Sequence, residues 1–217
     1  MLNREMIVSL SLQLAKSVPL TELSIVRVAT ELGVTPALIH YYLGSRDELT
    51  SGVMNAFYQE LVASWPPEVG DWRHNLEVVA HGVYRAYLRY PGVVIYVATH
   101  NRYQLFQDVR EGEKDFGLLT FERFVATIRQ MGFDANRTGI FAHLIMSFIS
   151  HFAHLTVTHR WPGQSREFLL DRMAGLDPNE FPNTTFVRES FANLNATDAF
   201  TMGLRLILNS LEVELVK

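Results

Sequence analysis

Between Ser24 and Glu48 the chain starts a helix three times and stops one twice. Ser24 precedes Ile25, Val28, Ala29 and Leu32, whose i, i+3, i+4, i+7 spacing draws one apolar stripe along a helix, and serine is a good N-cap. Gly33 breaks that helix as the permissive residue at a helix C-terminus. Thr35-Pro36 opens the next one, because threonine caps and proline at the first helical position loses only an N–H that had no partner. This segment is short and ends near Leu43. Ser45-Arg46-Asp47-Glu48 then spells the capping box S-x-x-E, so a further helix begins abruptly at Arg46. Two short helices around a glycine-containing turn have the proportions of a helix-turn-helix.

Helical periodicity runs through almost the whole chain, with no sustained period-2 alternation, internal repeat or low-complexity tract. The expected fold class is all-α, with about nine or ten helices: an N-terminal three-helix helix-turn-helix domain and a larger helical ligand-binding and dimerisation domain. The first helix is expected over Asn3–Val18, with Ile7, Leu10 and Leu14 on one face and Pro19 ending it. The fourth should run to about Ser64, before Trp65-Pro66-Pro67. Later helices are expected at 71–90, 93–98, 114–133, 134–159 and 196–215. Residues 161–195, rich in proline and glycine, read as a long connector holding one helix near 165–174. By role, the chain divides into 1–45, a linking helix at 46–66, and 67–217.

Composition narrows the classes. Of 217 residues, 48% are apolar, enough for a sizeable core, and the net charge of −4 excludes a basic nucleic-acid coat. The absence of cysteine excludes disulfides and thiolate metal sites and fits a reducing cytoplasm. No signal peptide is expected, because Arg4 and Glu5 interrupt the first apolar residues. The apolar run at 140–157 approaches the length of a membrane span, yet His143, His151 and His154 lie inside it. It reads as a helix buried in protein, and no membrane partner is expected.

In a helix-turn-helix, the second helix enters the major groove and its N-terminal residues meet base edges. With Ile39 and Leu43 facing the core and Leu38 beside them, Thr35, Pro36, Ala37, His40 and Tyr41 face out. Pro36 and Ala37 suit apolar contact with thymine methyls, while Thr35, His40 and Tyr41 offer hydrogen bonds to bases or phosphates. Tyr42 is placed for a flanking phosphate, and Arg46 can join the free N–H groups of its helix in gripping another. Charge pulls the other way: residues 1–50 hold four basic and five acidic side chains, so one copy alone should bind DNA weakly.

The segment LSIVRVATELGVTPALIHYYLGSRDEL resembles the N-terminal domain of the TetR/AcrR family of transcriptional regulators, through Ala29, Leu32-Gly33-Val34, Ile39, Tyr41, Gly44-Ser45-Arg46 and Leu49. The family usually has tyrosine where His40 stands, histidine at Tyr42, phenylalanine at Leu43 and lysine at Arg46; each swap keeps the polar or apolar character. More loosely, AFTMGLRLILNSLEVEL and AYLRYPGV resemble the closing helix and the end of the fifth helix of the tetracycline-repressor branch. The resemblance implies a homodimer paired through a four-helix bundle, a double-stranded DNA operator as partner, and a small-molecule cavity in each subunit. Independently, the apolar eighth helix and the stripe Phe200, Leu204, Ile207, Leu208 and Leu211 on the last helix call for burial, against a partner chain or within the chain's own core.

By analogy with that branch, Val83, His100, Phe121, Val125 and His143 are expected to enclose a hydrophobic or aromatic effector. The branch's metal-tetracycline site uses a histidine near the sixth helix and a glutamate on the eighth; here Val97 or His100 falls near the first and Leu155 at the second, so tetracycline is disfavoured. His143, His151 and His154 read as hydrogen-bonded members of a core or interface; neither metal nor cofactor is assigned. The expected function is a cytoplasmic, ligand-responsive repressor that is not an enzyme. In it the effector swings the fourth helix and spoils the spacing of the two recognition helices. Two alternatives are a regulator controlled by a protein partner and a small helical enzyme using the histidines. The enzyme lacks support from any H-E-x-x-H, G-x-S-x-G or phosphate-loop motif.

Overall fold

The computed structural model describes residues 2–99 and 108–216, and among them there is no strand. The helices are α1 (Arg4–Leu14), α2 (Ile25–Leu32), α3 (Pro36–Leu43), α4 (Arg46–Ala63), α5 (Trp72–Arg89), α6 (Pro91–Thr99), α7 (Phe116–Arg129), α8 (Ala135–Val157), α9 (Arg166–Ala174), α10 (Pro182–Ala192) and α11 (Ala196–Leu215). A 3-10 turn over Pro162–Ser165 precedes α9. The chain forms two compact units, Met1–Ser150 and His151–Lys217, whose boundary falls within α8.

In the first unit the caps read from the sequence are made. The side chains of Asn3, Ser24, Thr35 and Ser45 each accept from the backbone N–H three residues on, fixing the starts of α1 to α4. Gly33 closes α2 in the left-handed region at φ 64°. Ile7 and Leu12 of α1, Val28 and Ala29 of α2, Ile39 and Leu43 of α3, and Leu49 and Val53 of α4 form one buried cluster. α1 stops at Leu14, well short of Val18. The Ala15 carbonyl there accepts from the Gly92 amide instead of continuing the helix. Behind this head, α4 packs on both α1 and α7, and α5 packs on α6 and α7.

The second unit is built around Phe152, whose ring lies 5.2 Å from that of Trp161 and 6.2 Å from that of Phe200. The Trp161 indole donates to Thr156 Oγ1 at 2.9 Å, which satisfies its one polar atom. A Cβ on Gly163 would sit 2.7 Å from the Leu194 carbonyl oxygen, so the bare backbone there allows the Gly163 amide to bond that oxygen at 3.0 Å. The expected connector holds a second helix besides α9, α10. Its Pro182 stands in the first turn, where the missing N–H costs nothing, so a proline that looks like a loop signal opens a helix.

The structure sorts three further sets of apolar positions. Phe200, Leu204, Leu208 and Leu211 are all at most 3% exposed and Ile207 is half-buried, so of the two expected places for that stripe the chain's own core takes it. The open apolar positions of α11 are Met202, Leu206 and Val213, on a different side of the same helix. α8 is long and apolar enough by length and composition to cross a membrane. It is not buried all round, however: Ala142, Ile145 and Ile149 face inward, while Ile140 and Leu144 are about half exposed. A helix with two apolar stripes gives no sequence signal for which stripe its own chain will cover. Leu38, expected beside the core, is 37% exposed and stands on the outward side of α3.

Candidate nucleic-acid interface and sensing region

α3 is held from behind by two residues one turn apart: Ile39 and Leu43 have no exposed surface. Most of the rest turns outward. Thr35, Pro36, Ala37, Leu38, His40 and Tyr41 are exposed, and Tyr42 is half-buried. Tyr41 is the extreme case at 81% exposed, standing edge-on to Tyr42 with centroids 5.2 Å apart. The structure therefore places five of the seven expected DNA-facing side chains on α3 and a sixth, Thr35, at its N-cap.

His40 Nδ1 lies 2.8 Å from the Gly44 carbonyl oxygen. A carbonyl only accepts, so Nδ1 carries the hydrogen and Nε2 of the neutral ring is an acceptor. In the major groove, such an acceptor matches the amino groups of adenine N6 or cytosine N4. Gly44 itself, at φ 90°, makes the sharp exit from α3.

Arg46 sits differently from the expectation. Its Nε donates to the Leu23 carbonyl at 3.3 Å and its Nη2 donates to the Thr21 carbonyl. These two donors tie the start of α4 to the link between α1 and α2. The S-x-x-E box is also half used. Ser45 Oγ accepts from the Glu48 amide at 3.1 Å, whereas the Glu48 carboxylate pairs with Arg110 at 2.7 Å.

Arg110 is a functional candidate that the sequence reading missed. It lies in the segment leading to α7, and its Nη2 also donates to the carbonyls of Leu43 at 2.8 Å and Tyr42 at 3.2 Å. No local pattern marks such a residue, because its partners are more than sixty positions away. Nearby, Arg4 pairs with Glu113 at 2.7 Å, and Asn55 bonds both the Lys114 carbonyl at 3.0 Å and the Phe116 amide at 2.9 Å. A polar cavity of about 530 Å³ opens here between α1, α4 and this segment. Much of its polar lining is self-satisfied: Arg4 pairs with Glu113, Asn55 holds the segment, and Glu60 accepts from Tyr90.

The expected sensing residues divide. Val83 is buried on α5, while Phe121 and Val125 are half-buried on α7, the helix α5 packs against. Beside them Phe57 stacks on Tyr87 at 5.5 Å and meets Tyr90 edge-on at 5.9 Å. His143 is exposed on α8, one residue round from the inward-facing Ala142, and does not join them. His100 lies outside the described residues. His151 is exposed as well, which leaves the interface, of the two places expected for it, and not the chain's own core. Burial, then Arg160 and His151, push the His154 pKa below its ordinary value. Burial and Arg85 do the same to His81, against Glu77. Among the described residues, no group of three or more His, Cys, Asp or Glu side chains could hold a metal.

The family model described as "Tetracyclin repressor-like, C-terminal domain" matches residues 66–215, more than half of the chain. Of solved structures, apo ActR from Streptomyces coelicolor superposes with a TM-score of 0.79 at 22% identity, covering 100% of both chains. ActR in complex with actinorhodin gives 0.80 at 23%, again covering 100% of both. A TetR variant from Acinetobacter baumannii in complex with minocycline gives 0.63 at 18%, covering 99% of both. These likenesses extend the fold match over the N-terminal helices that the family model leaves out. A comparison with curated protein sequences finds no match.

Proposed function

Since this chain belongs to the tetracyclin-repressor-like family, we propose that it is a ligand-responsive transcriptional repressor that binds a pseudo-palindromic operator as a homodimer and leaves it when a small hydrophobic or aromatic effector binds. The observation that carries this reading is α3: a helix fixed by Ile39 and Leu43, with Tyr41 81% exposed and a histidine acceptor beside it. The major groove admits a helix of this size, and the outward side chains of α3 offer it hydrogen-bonding and apolar groups together.

In this reading, residues 1–45 read DNA, 46–66 link, and 67–217 sense and dimerise. Thr35, Pro36, Ala37, His40 and Tyr41 meet base edges, and Tyr42 a flanking phosphate. The half-open apolar positions of α8 (Ile140, Leu144) and of α11 (Met202, Leu206, Val213) are the dimerising surfaces. Two heads then share the binding energy that one near-neutral head lacks. Val83, Phe121 and Val125, with the Phe57–Tyr87–Tyr90 cluster, form the effector side. That ActR is known with actinorhodin and TetR with minocycline supports a small molecule as effector here. The cytoplasm is the expected compartment.

Release follows from differential affinity: an effector that favours a state with α4 displaced lowers the population whose α3 helices fit the operator spacing. A regulator controlled by a protein partner is the second reading, favoured by Phe168 and Phe186 of α9 and α10, 66% and 88% exposed. Duplexes selected from a random pool should converge on a pseudo-palindrome, and hydrophobic small molecules should displace the protein from them. Selection that yields no consensus would overturn the DNA reading; displacement by a protein alone would favour the second.

A further inference from the structure

The contacts made by Arg110 have no place in base reading or effector binding as described above. Its Nη2 donates to the Tyr42 and Leu43 carbonyls and pairs with Glu48 Oε2. The two carbonyls belong to the last turn of α3, where the helix has run out of its own donors. Glu48 belongs to the first turn of α4. One guanidinium therefore fastens the end of the recognition helix and the start of the linking helix to the segment that enters α7. A cation at a helix C-terminus also complements the helix dipole.

Other bonds give this segment a fixed place. Glu113 is held by Arg4 of α1, and the Phe116 amide and Lys114 carbonyl are both held by Asn55 of α4. The turn around Gly112, at φ 81°, lies between Arg110 and these anchors. Arg110 thus acts from a braced support.

Resting on the DNA-binding reading of α3, we propose that Arg110 is a positioning residue for the recognition helix. It sets the pitch at which Tyr41 and His40 are presented and passes displacements of the sensing part to α3 without going through α4 alone. Arg110 does not itself touch the base edges. A phosphate contact by the same guanidinium is the competing role, and salt separates the two: each lost phosphate contact lowers the slope of log K against log salt by about one, while a lost positioning bond leaves it unchanged.

The test uses full-length wild type, Arg110→Ala, Arg110→Lys and Glu48→Gln on the duplex footprinted upstream of the protein's own gene. Arg110→Ala should weaken binding by about tenfold, the scale of one charge-assisted hydrogen bond partly screened by solvent, with the salt slope unchanged. In the free protein, amide exchange at residues 41–44 should accelerate while α1 and α2 keep their protection. Arg110→Lys should restore part of both effects, and Glu48→Gln should fall between. A slope reduced by one, or exchange at 41–44 equal to wild type, would overturn the proposal. Wild type failing to bind any duplex would instead overturn the DNA reading, and the exchange measurement, which needs no DNA, would still judge the clamp.

Discussion

The Gly92 amide donates to the Ala15 carbonyl at 2.8 Å, so the first turn of α6 lies flush against the end of α1. Leu20 returns the contact, its amide bonding the Gly92 carbonyl at 3.3 Å. A Cβ built on Gly92 would fall 2.0 Å from the Val18 carbonyl oxygen and 2.8 Å from that of Ala15. Both obstacles are backbone and cannot rotate away. Gly92→Ala should therefore cost about 1–3 kcal/mol, as overpacking does. Urea unfolding should show it as a lower midpoint, with weaker operator binding.

Tyr41→Ala and His40→Ala should each weaken operator binding by roughly 1–3 kcal/mol, the worth of a base contact. Fluorescence anisotropy with a labelled duplex measures this, and circular dichroism should show an unchanged fold for Tyr41→Ala. The His40 variant also loses the Gly44 bond, so a small fall in stability is expected there.

Leu206→Glu should yield well-folded monomers with reduced operator affinity, because Leu206 is 60% exposed on α11. Leu204→Glu, at 1% exposed, should instead unfold the second unit by burying a carboxylate without a partner. Sedimentation and thermal melts separate the two outcomes. Swapped results would contradict the assignment of the two stripes.

Alkaline pH tests the joint between α4 and α5. The Tyr90 hydroxyl donates to Glu60 at 2.7 Å, and burial, then this bond to a carboxylate, push its pKa up to about 12. The unfolded chain loses that proton near the ordinary value of about 10. The stabilisation is thus complete below that pH and is lost as pH rises toward the folded value. Tyr90→Phe should flatten this part of the alkaline loss in denaturation measured across the range.

Acid acts through His81 in the opposite sense. Its pKa is depressed, chiefly by burial, so the native state favours the neutral ring while the unfolded chain takes up the proton near pH 6.5. Stability should fall as pH drops below that value, and His81→Asn should lessen the fall in equilibrium denaturation.

How much of this was legible in the sequence depends on the range of the forces involved. Caps are local, so Ser24, Thr35-Pro36 and Ser45 placed the starts of α2, α3 and α4 to the residue. The outward side of α3 followed from two buried positions, although Leu38 showed that one small turn of phase moves a residue from core to surface. What depended on distant chain was not legible. The bonds of Arg46 to the Thr21 and Leu23 carbonyls come from another turn, and its place at the start of α4 gives no sign of them. Arg110 went unread for the same reason. On α8 and α11, periodicity showed that apolar stripes exist but not which one the chain keeps, and nothing local to His143 told that it stands exposed.

The most direct test is a footprint across the region upstream of the protein's own gene, with wild type and Tyr41→Ala compared at the same salt. The account predicts one protected pseudo-palindrome, half-sites about one helical turn apart or more, with protection lost in the variant. A footprint that survives Tyr41→Ala and His40→Ala unchanged would contradict α3 as the reading element, as would no protection even at low salt.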